Sequence, residues 1–136
     1  MTTKITVETF VNAPLSKVWS AYTTPAEIRQ WNTASDDWHT THATVDLREG
    51  GAFLSRMEAK DGSFGFDFAG TYTRIVPRQL LEYSFGERTG VVEFVPDENG
   101  VTVRSTFDAE SENPIEMQRN GWQAILNNFA RHVEAN

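Results

Sequence analysis

Hydrophobic and polar positions change their spacing several times along this chain. From Ile5, the residues Ile5, Val7, Thr9 and Val11 alternate with Thr6, Glu8 and Phe10, a period of two that gives a strand one more deeply buried face. Asn12-Ala13-Pro14 breaks the alternation, and Leu15, Val18, Trp19 and Tyr22 then recur at helical spacing behind a proline suited to a first helical turn. Thr24-Pro25-Ala26-Glu27 has the form of a capping box, in which the Thr24 hydroxyl reaches the Glu27 N–H while the Glu27 carboxylate reaches back. A second short helix is therefore expected, with Ile28 and Trp31 on its buried side. Strand spacing then returns over 41–48, 51–59, 64–76, 79–86, 89–96 and 101–109. Glu49-Gly50-Gly51, Asp61-Gly62, Thr89-Gly90 and Asn99-Gly100 are turn sequences of tight antiparallel reversals, and Pro77 and Pro96 mark further breaks.

The last segment is helical again. Asn113-Pro114-Ile115-Glu116 combines a capping residue, a first-turn proline and a glutamate three positions after the cap. Trp122, Ile125, Leu126, Phe129 and Val133 share one helical face, opposite Asn120, Asn127, Asn128 and Arg131. Such a helix needs an apolar surface to lie on. The order of strand, two short helices, six strands and long helix predicts an α+β fold, its seven strands forming a curved antiparallel sheet around the C-terminal helix. No repeat, linker or low-complexity tract interrupts 1–136, and one domain is expected.

Composition narrows the functions open to this fold. Aromatic residues make up 12% of the 136, enough for a packed core. The net charge of -7, with basic residues scattered singly, disfavours nucleic-acid and membrane partners. The absence of cysteine excludes disulfides, thiolate nucleophiles and thiolate-ligated zinc. MTTKITVETF alternates where a signal peptide needs a continuous apolar stretch, and no apolar run approaches membrane-spanning length, so a cytoplasmic protein is expected.

The stretches VDLREGGAF, GTYTRIVP and GWQAILNNFARHV, within that element order, resemble the SRPBCC or START-like superfamily and its helix-grip fold. More narrowly, Asp46, Arg48 and Gly50-Gly51, then Gly70 and Tyr72, then Gly121-Trp122 are similar to the group named after the activator of the Hsp90 ATPase. The resemblance spans essentially the whole chain and implies an elongated cavity between sheet and long helix, used across the superfamily for apolar molecules. The activator itself works through an additional N-terminal domain, whereas this chain begins at the first strand, so fold and cavity are carried over and the chaperone role is not. Alternate strand positions would supply the walls: Phe53 and Met57, then Phe66, Phe68 and Tyr72, then Leu81, Tyr83 and Phe85. Trp122, Leu126 and Phe129 would face them from the helix.

Other chemistry is weakly supported. His39 and His42, with Asp36 and Asp37 upstream, suggest a metal site, but residues three apart on a strand point to opposite faces, so no metal is expected. Neither a nucleophile elbow nor a phosphate-binding glycine loop is present, and no cofactor is expected. Arg56, Glu58 and Asp67 fall on the face opposite the apolar set, which leaves Tyr72 and Tyr83 as the polar groups of the cavity. Gly121, inside a helix, is read as a packing requirement. WNTASDDWHTTH is read as a mobile rim whose Trp31 and Trp38 close over a ligand. The leading expectation is binding of a small apolar or aromatic molecule, as a monomer or a homodimer. A cyclase- or hydrolase-like enzyme using the same cavity and a chaperone-related interaction module are the alternatives.

Overall fold

In the computed structural model, which describes residues 3–136, the first alternating segment forms β1 (Lys4–Val11) and the two short helices are α1 (Leu15–Thr23) and α2 (Pro25–Trp31). Six further strands follow: β2 (Trp38–Val45), β3 (Ala52–Ala59), β4 (Gly65–Val76), β5 (Leu80–Phe85), β6 (Arg88–Pro96) and β7 (Val101–Asp108). The chain closes with α3 (Ile115–Ala135). All seven strands form one curved antiparallel sheet in the order β1-β7-β6-β5-β4-β3-β2. Strands β2 to β7 are thus a meander, and β1 joins it beside β7 with Lys4 opposite Asp108 and Val11 opposite Val101.

The alternation explains which face is core. Ile5, Val7 and Val11 are buried while Lys4, Thr6 and Glu8 are exposed, and Val101, Val103, Ser105 and Phe107 repeat the pattern on β7. Onto this face α3 lays Leu126, Phe129 and Val133, with Phe129 fully buried. Trp122 stacks on Phe107 with ring centroids 3.6 Å apart. The far side of α3 is less free than its polarity suggests, because Asn128 donates its side-chain amide to the Thr33 carbonyl after α2.

Three local expectations are corrected. Thr24 caps α2 without a side-chain hydrogen bond, and Glu27 turns instead to α3, where its Oε1 lies 3.1 Å from His132 Nε2. The start of α3 likewise lacks an asparagine cap: Gln118 reaches back, donating to the Glu110 and Asn113 carbonyls and accepting from the Glu110 N–H. The hairpin between β5 and β6 turns at Gly86-Glu87 rather than at Thr89-Gly90, with Phe85 opposite Arg88 and Gly86 at a φ of 64° that glycine adopts without strain. Gly90 lies inside the ladder opposite Tyr83, and a Cβ there would stand 2.5 Å from the Tyr83 ring.

Gly121 is also not the packing device expected, since a Cβ at this position meets nothing within 4 Å. Gly121→Ala is therefore expected to stabilise the protein by about 1 kcal/mol through helix propensity alone. Urea denaturation should show a higher midpoint with an unchanged slope. Lower stability would mean that the position needs glycine for a reason other than packing.

Among the described residues no helix is long and apolar enough to cross a membrane.

Candidate binding cavity

Between the concave face of the sheet and α3 lies a partly open cavity of about 300 Å³. From β3 come Phe53 and Met57, with Ser55 between them, because period two sends every second residue inward. Phe66, Phe68 and Tyr72 line it from β4, and Leu81 and Tyr83 from β5. Trp122, Ile125 and Leu126 cover it from α3, and Tyr22, Ile28 and Trp31 close one end from α1 and α2. Phe66 lines the cavity while 42% exposed, so the space opens to solvent beside it.

Three residues expected at the cavity, Phe85 and Phe129 on its wall and Trp38 at its rim, lie elsewhere. Phe85 is buried behind it, against Phe68, Tyr83 and Trp122, because the hairpin turns just after it and its ring is covered by Arg88. Trp38 stands outside, half-buried against the rings of Phe64 and Phe66. Phe129, expected from the helix, sits in the core against Tyr22 and Trp31 and does not reach the lumen.

The aromatic walls are tightly set. Phe53 meets Phe68, Tyr72 and Tyr83 with ring centroids 5.8, 5.1 and 5.5 Å away. Gly70, opposite Phe53, leaves the room this needs, since a Cβ there would meet that ring at 2.8 Å. The Gly50-Gly51 turn braces the same wall, because Gly50 N–H donates to the Tyr72 carbonyl and Tyr72 N–H donates to the Gly51 carbonyl. Residues that seemed a scattered signature thus converge on one wall strand, and Asp46, ion-paired with Arg48, sits at the base of the same turn.

Trp31 is no mobile rim. It is 5% exposed, its indole N–H donates to the Ala21 carbonyl at 3.0 Å, and its ring packs on Tyr22 and Phe129. The residues after it are also held, by Thr40 Oγ1 donating to the Asn32 carbonyl and by Lys60 N–H donating to the Asp37 carbonyl. Asp36 and Asp37 do face solvent.

The two histidines depart from the geometry expected of a strand. A register shift between Thr40 and His42 inserts an extra residue, so His39 opposite Glu58 and His42 opposite Arg56 both lie on the outer face. Arg56, ion-paired with Glu58 and Asp67, holds a positive charge among them. Among the described residues no group of three histidine, aspartate or glutamate side chains gathers as a metal-ligand set.

Polar groups inside the cavity are few. Burial pushes the Tyr72 phenol up to about 12 and raises the Tyr22 and Tyr83 phenols well above their ordinary value, the charges of neighbouring phenols adding to the last two. All three are therefore neutral donors at physiological pH. Ser105 stands beside the Tyr83 hydroxyl, and Ser55, Asn32 and Thr44 are the other uncharged polar residues of the lining. Arg88 is its one charged side chain among the described residues. Tyr22 was legible only as a helix-face residue, and Arg88 was hidden by the misplaced turn, which put it in a loop instead of at the start of an inward-facing strand.

The profile of the family described as "Activator of Hsp90 ATPase homolog 1-like protein" matches residues 12–134. An AHSA1-like protein from Aeromonas hydrophila, solved by solution NMR, is 45% identical, superposes with a TM-score of 0.92, and the match covers 98% of this chain and 93% of that one. A protein from Cytophaga hutchinsonii, also solved in solution, is 43% identical with a TM-score of 0.84 over the same shares of both chains. A crystal structure from Chromobacterium violaceum shares the fold, with a TM-score of 0.87 at 23% identity, over 98% of this chain and 99% of that one. No curated protein matches.

Proposed function

Because the chain belongs to the activator of Hsp90 ATPase homolog 1-like family, whose fold is suited to ligand binding but does not specify a ligand, we propose that it binds a small apolar or aromatic molecule between its sheet and its C-terminal helix. The observation that carries this reading is the cavity of about 300 Å³ walled by Phe53, Phe68, Tyr72, Tyr83 and Trp122. Ligand sites are typically concave, mostly apolar and fitted with a few orienting polar groups, and here three phenols and two serines supply those groups.

Binding without turnover is favoured over acid–base catalysis. Proton transfer at neutral pH needs a group whose pKa lies near 7. Among the described residues the lining contains no histidine, aspartate or glutamate, and burial moves its phenols further from that range. Native mass spectrometry of freshly purified protein is the test. A stoichiometric apolar adduct, released on denaturation and extractable into organic solvent, is expected. A clean apo mass, with no thermal stabilisation by a panel of aromatic and aliphatic compounds, would contradict the reading.

A further inference from the structure

We propose that the cavity selects a ligand carrying an anionic group, a carboxylate or a similar acid on an apolar body, and that Arg88 receives it. This rests on the cavity being a ligand site and specifies which chemistry it takes.

Arg88 is the first residue of β6, directly after the Gly86-Glu87 turn, and it lines the cavity alongside Tyr83 and Trp122. Arg88 is half-buried there, and the part of a guanidinium withdrawn from water into an apolar wall is costly unless something pairs with it. Arg88 has no side-chain carboxylate within 4.0 Å among the described residues; Lys17, Arg29, Lys60, Arg78 and Arg131 also lack one, but Arg88 alone of these lines the cavity. Its one hydrogen bond to a described residue is weak, from Nη1 to the Asp108 carbonyl at 3.3 Å. The nearby carboxylates are engaged elsewhere: Asp108 accepts from Lys4 Nζ at 2.6 Å and from the Thr89 N–H and hydroxyl, and Glu110 accepts from the Asn113 N–H. Glu110 still feels the Arg88 charge, though it makes no ion pair with it.

The head is nevertheless positioned. Its central carbon sits 4.4 Å from the centroid of the Phe85 ring, a cation–π contact that holds the head beside that ring. Asp108, by accepting from the Thr89 N–H and hydroxyl, anchors the residue that follows. The result is a guanidinium held at two points, with donors that make no hydrogen bond to a described residue, at the wall of a cavity otherwise offering only neutral groups. Guanidinium suits carboxylate because two parallel N–H groups match its two oxygens. The three phenols, all neutral donors, add hydrogen bonds that also favour an acceptor-rich head group. On a protein of net charge -7 this local cation marks one end of the cavity for an acid.

The test is competition against a neutral fluorescent probe, N-phenyl-1-naphthylamine, by decanoate and by 1-decanol, which share a chain and differ in head group. The wild-type protein is expected to prefer decanoate by about tenfold, the scale of a charge-assisted bidentate pair. In Arg88→Gln the preference should invert in favour of the alcohol, because the carboxylate then enters an apolar site unpaired. Arg88→Lys, which keeps the charge but loses the fork, should retain part of it and guards against a folding defect in the first variant. Arg74→Gln, on the outer face, should leave the ratio unchanged. Equal competition by acid and alcohol, or a ratio unaltered in both Arg88 variants, overturns the assignment of Arg88 while leaving the cavity reading intact. Failure of the probe to bind the wild-type protein removes both.

Discussion

Replacing Trp31 with alanine is expected to cost about 3–5 kcal/mol of folding stability, the range for deleting a large buried aromatic side chain. The indole is 5% exposed and joins three elements: its N–H is satisfied by the Ala21 carbonyl on α1, and its ring packs on Tyr22 and on Phe129 of α3. Truncation leaves a void that neighbouring aromatic rings cannot fill without abandoning one another. Against a typical domain stability of about 5–15 kcal/mol, that loss removes a large share of the total. Urea denaturation of Trp31→Ala, with Trp31→Phe as the milder variant, measures it. A loss below about 1 kcal/mol would return Trp31 to the role of a loosely attached rim residue.

The second large effect concerns binding. Ser55→Phe is expected to weaken N-phenyl-1-naphthylamine by more than about tenfold, because the new ring occupies the volume a ligand needs. Ser55 is buried, faces inward between Phe53 and Met57, and pairs with Ala43 and Phe68 on the adjacent strands. Filling existing space differs from overpacking a dense core, so folding stability should fall by no more than about 1–3 kcal/mol. Fluorescence titration and thermal denaturation of the same sample separate the two effects. Undiminished affinity in a folded Ser55→Phe protein would place the probe somewhere other than the cavity.

Much of this architecture was legible because strand and helix periods differ so plainly. The alternation in β1 and the helical stripe of α3 predicted which residues meet, and strand ends fell within three residues of those expected throughout the meander. Phe53 and Met57 could be assigned to one face from spacing alone. What resisted reading were departures from regular period. The extra residue near Thr41 returned His39 and His42 to one side, an event that no local residue type announced. At the β5–β6 hairpin, both Gly86-Glu87 and Thr89-Gly90 look like turns in sequence. The choice depends on Gly90 making room for the Tyr83 ring, which is a contact across strands. That single ambiguity concealed Arg88.

Trp31 shows a different limit. Helical spacing correctly put it on the buried side of α2, yet its position beside Asn32 to His42 also suggested a rim. Only the hydrogen bond to Ala21 and the contact with Phe129 decide between them, and both are tertiary. The capping box failed for a similar reason. Glu27 had a local partner available and took His132 on α3 instead, joining the two helices.

The central claim is that the space between sheet and α3 receives an apolar ligand, and the most direct measurement is a titration of isotopically labelled protein with N-phenyl-1-naphthylamine followed by NMR. Saturable shifts are predicted for the indole N–H groups of Trp31 and Trp122 and for amides of β3, β4, β5 and the middle of α3, with the outer-face residues His39, His42 and Arg74 unmoved. Shifts confined to the outer face or to the exposed Phe64 hairpin, or no saturable shift at all, would contradict it.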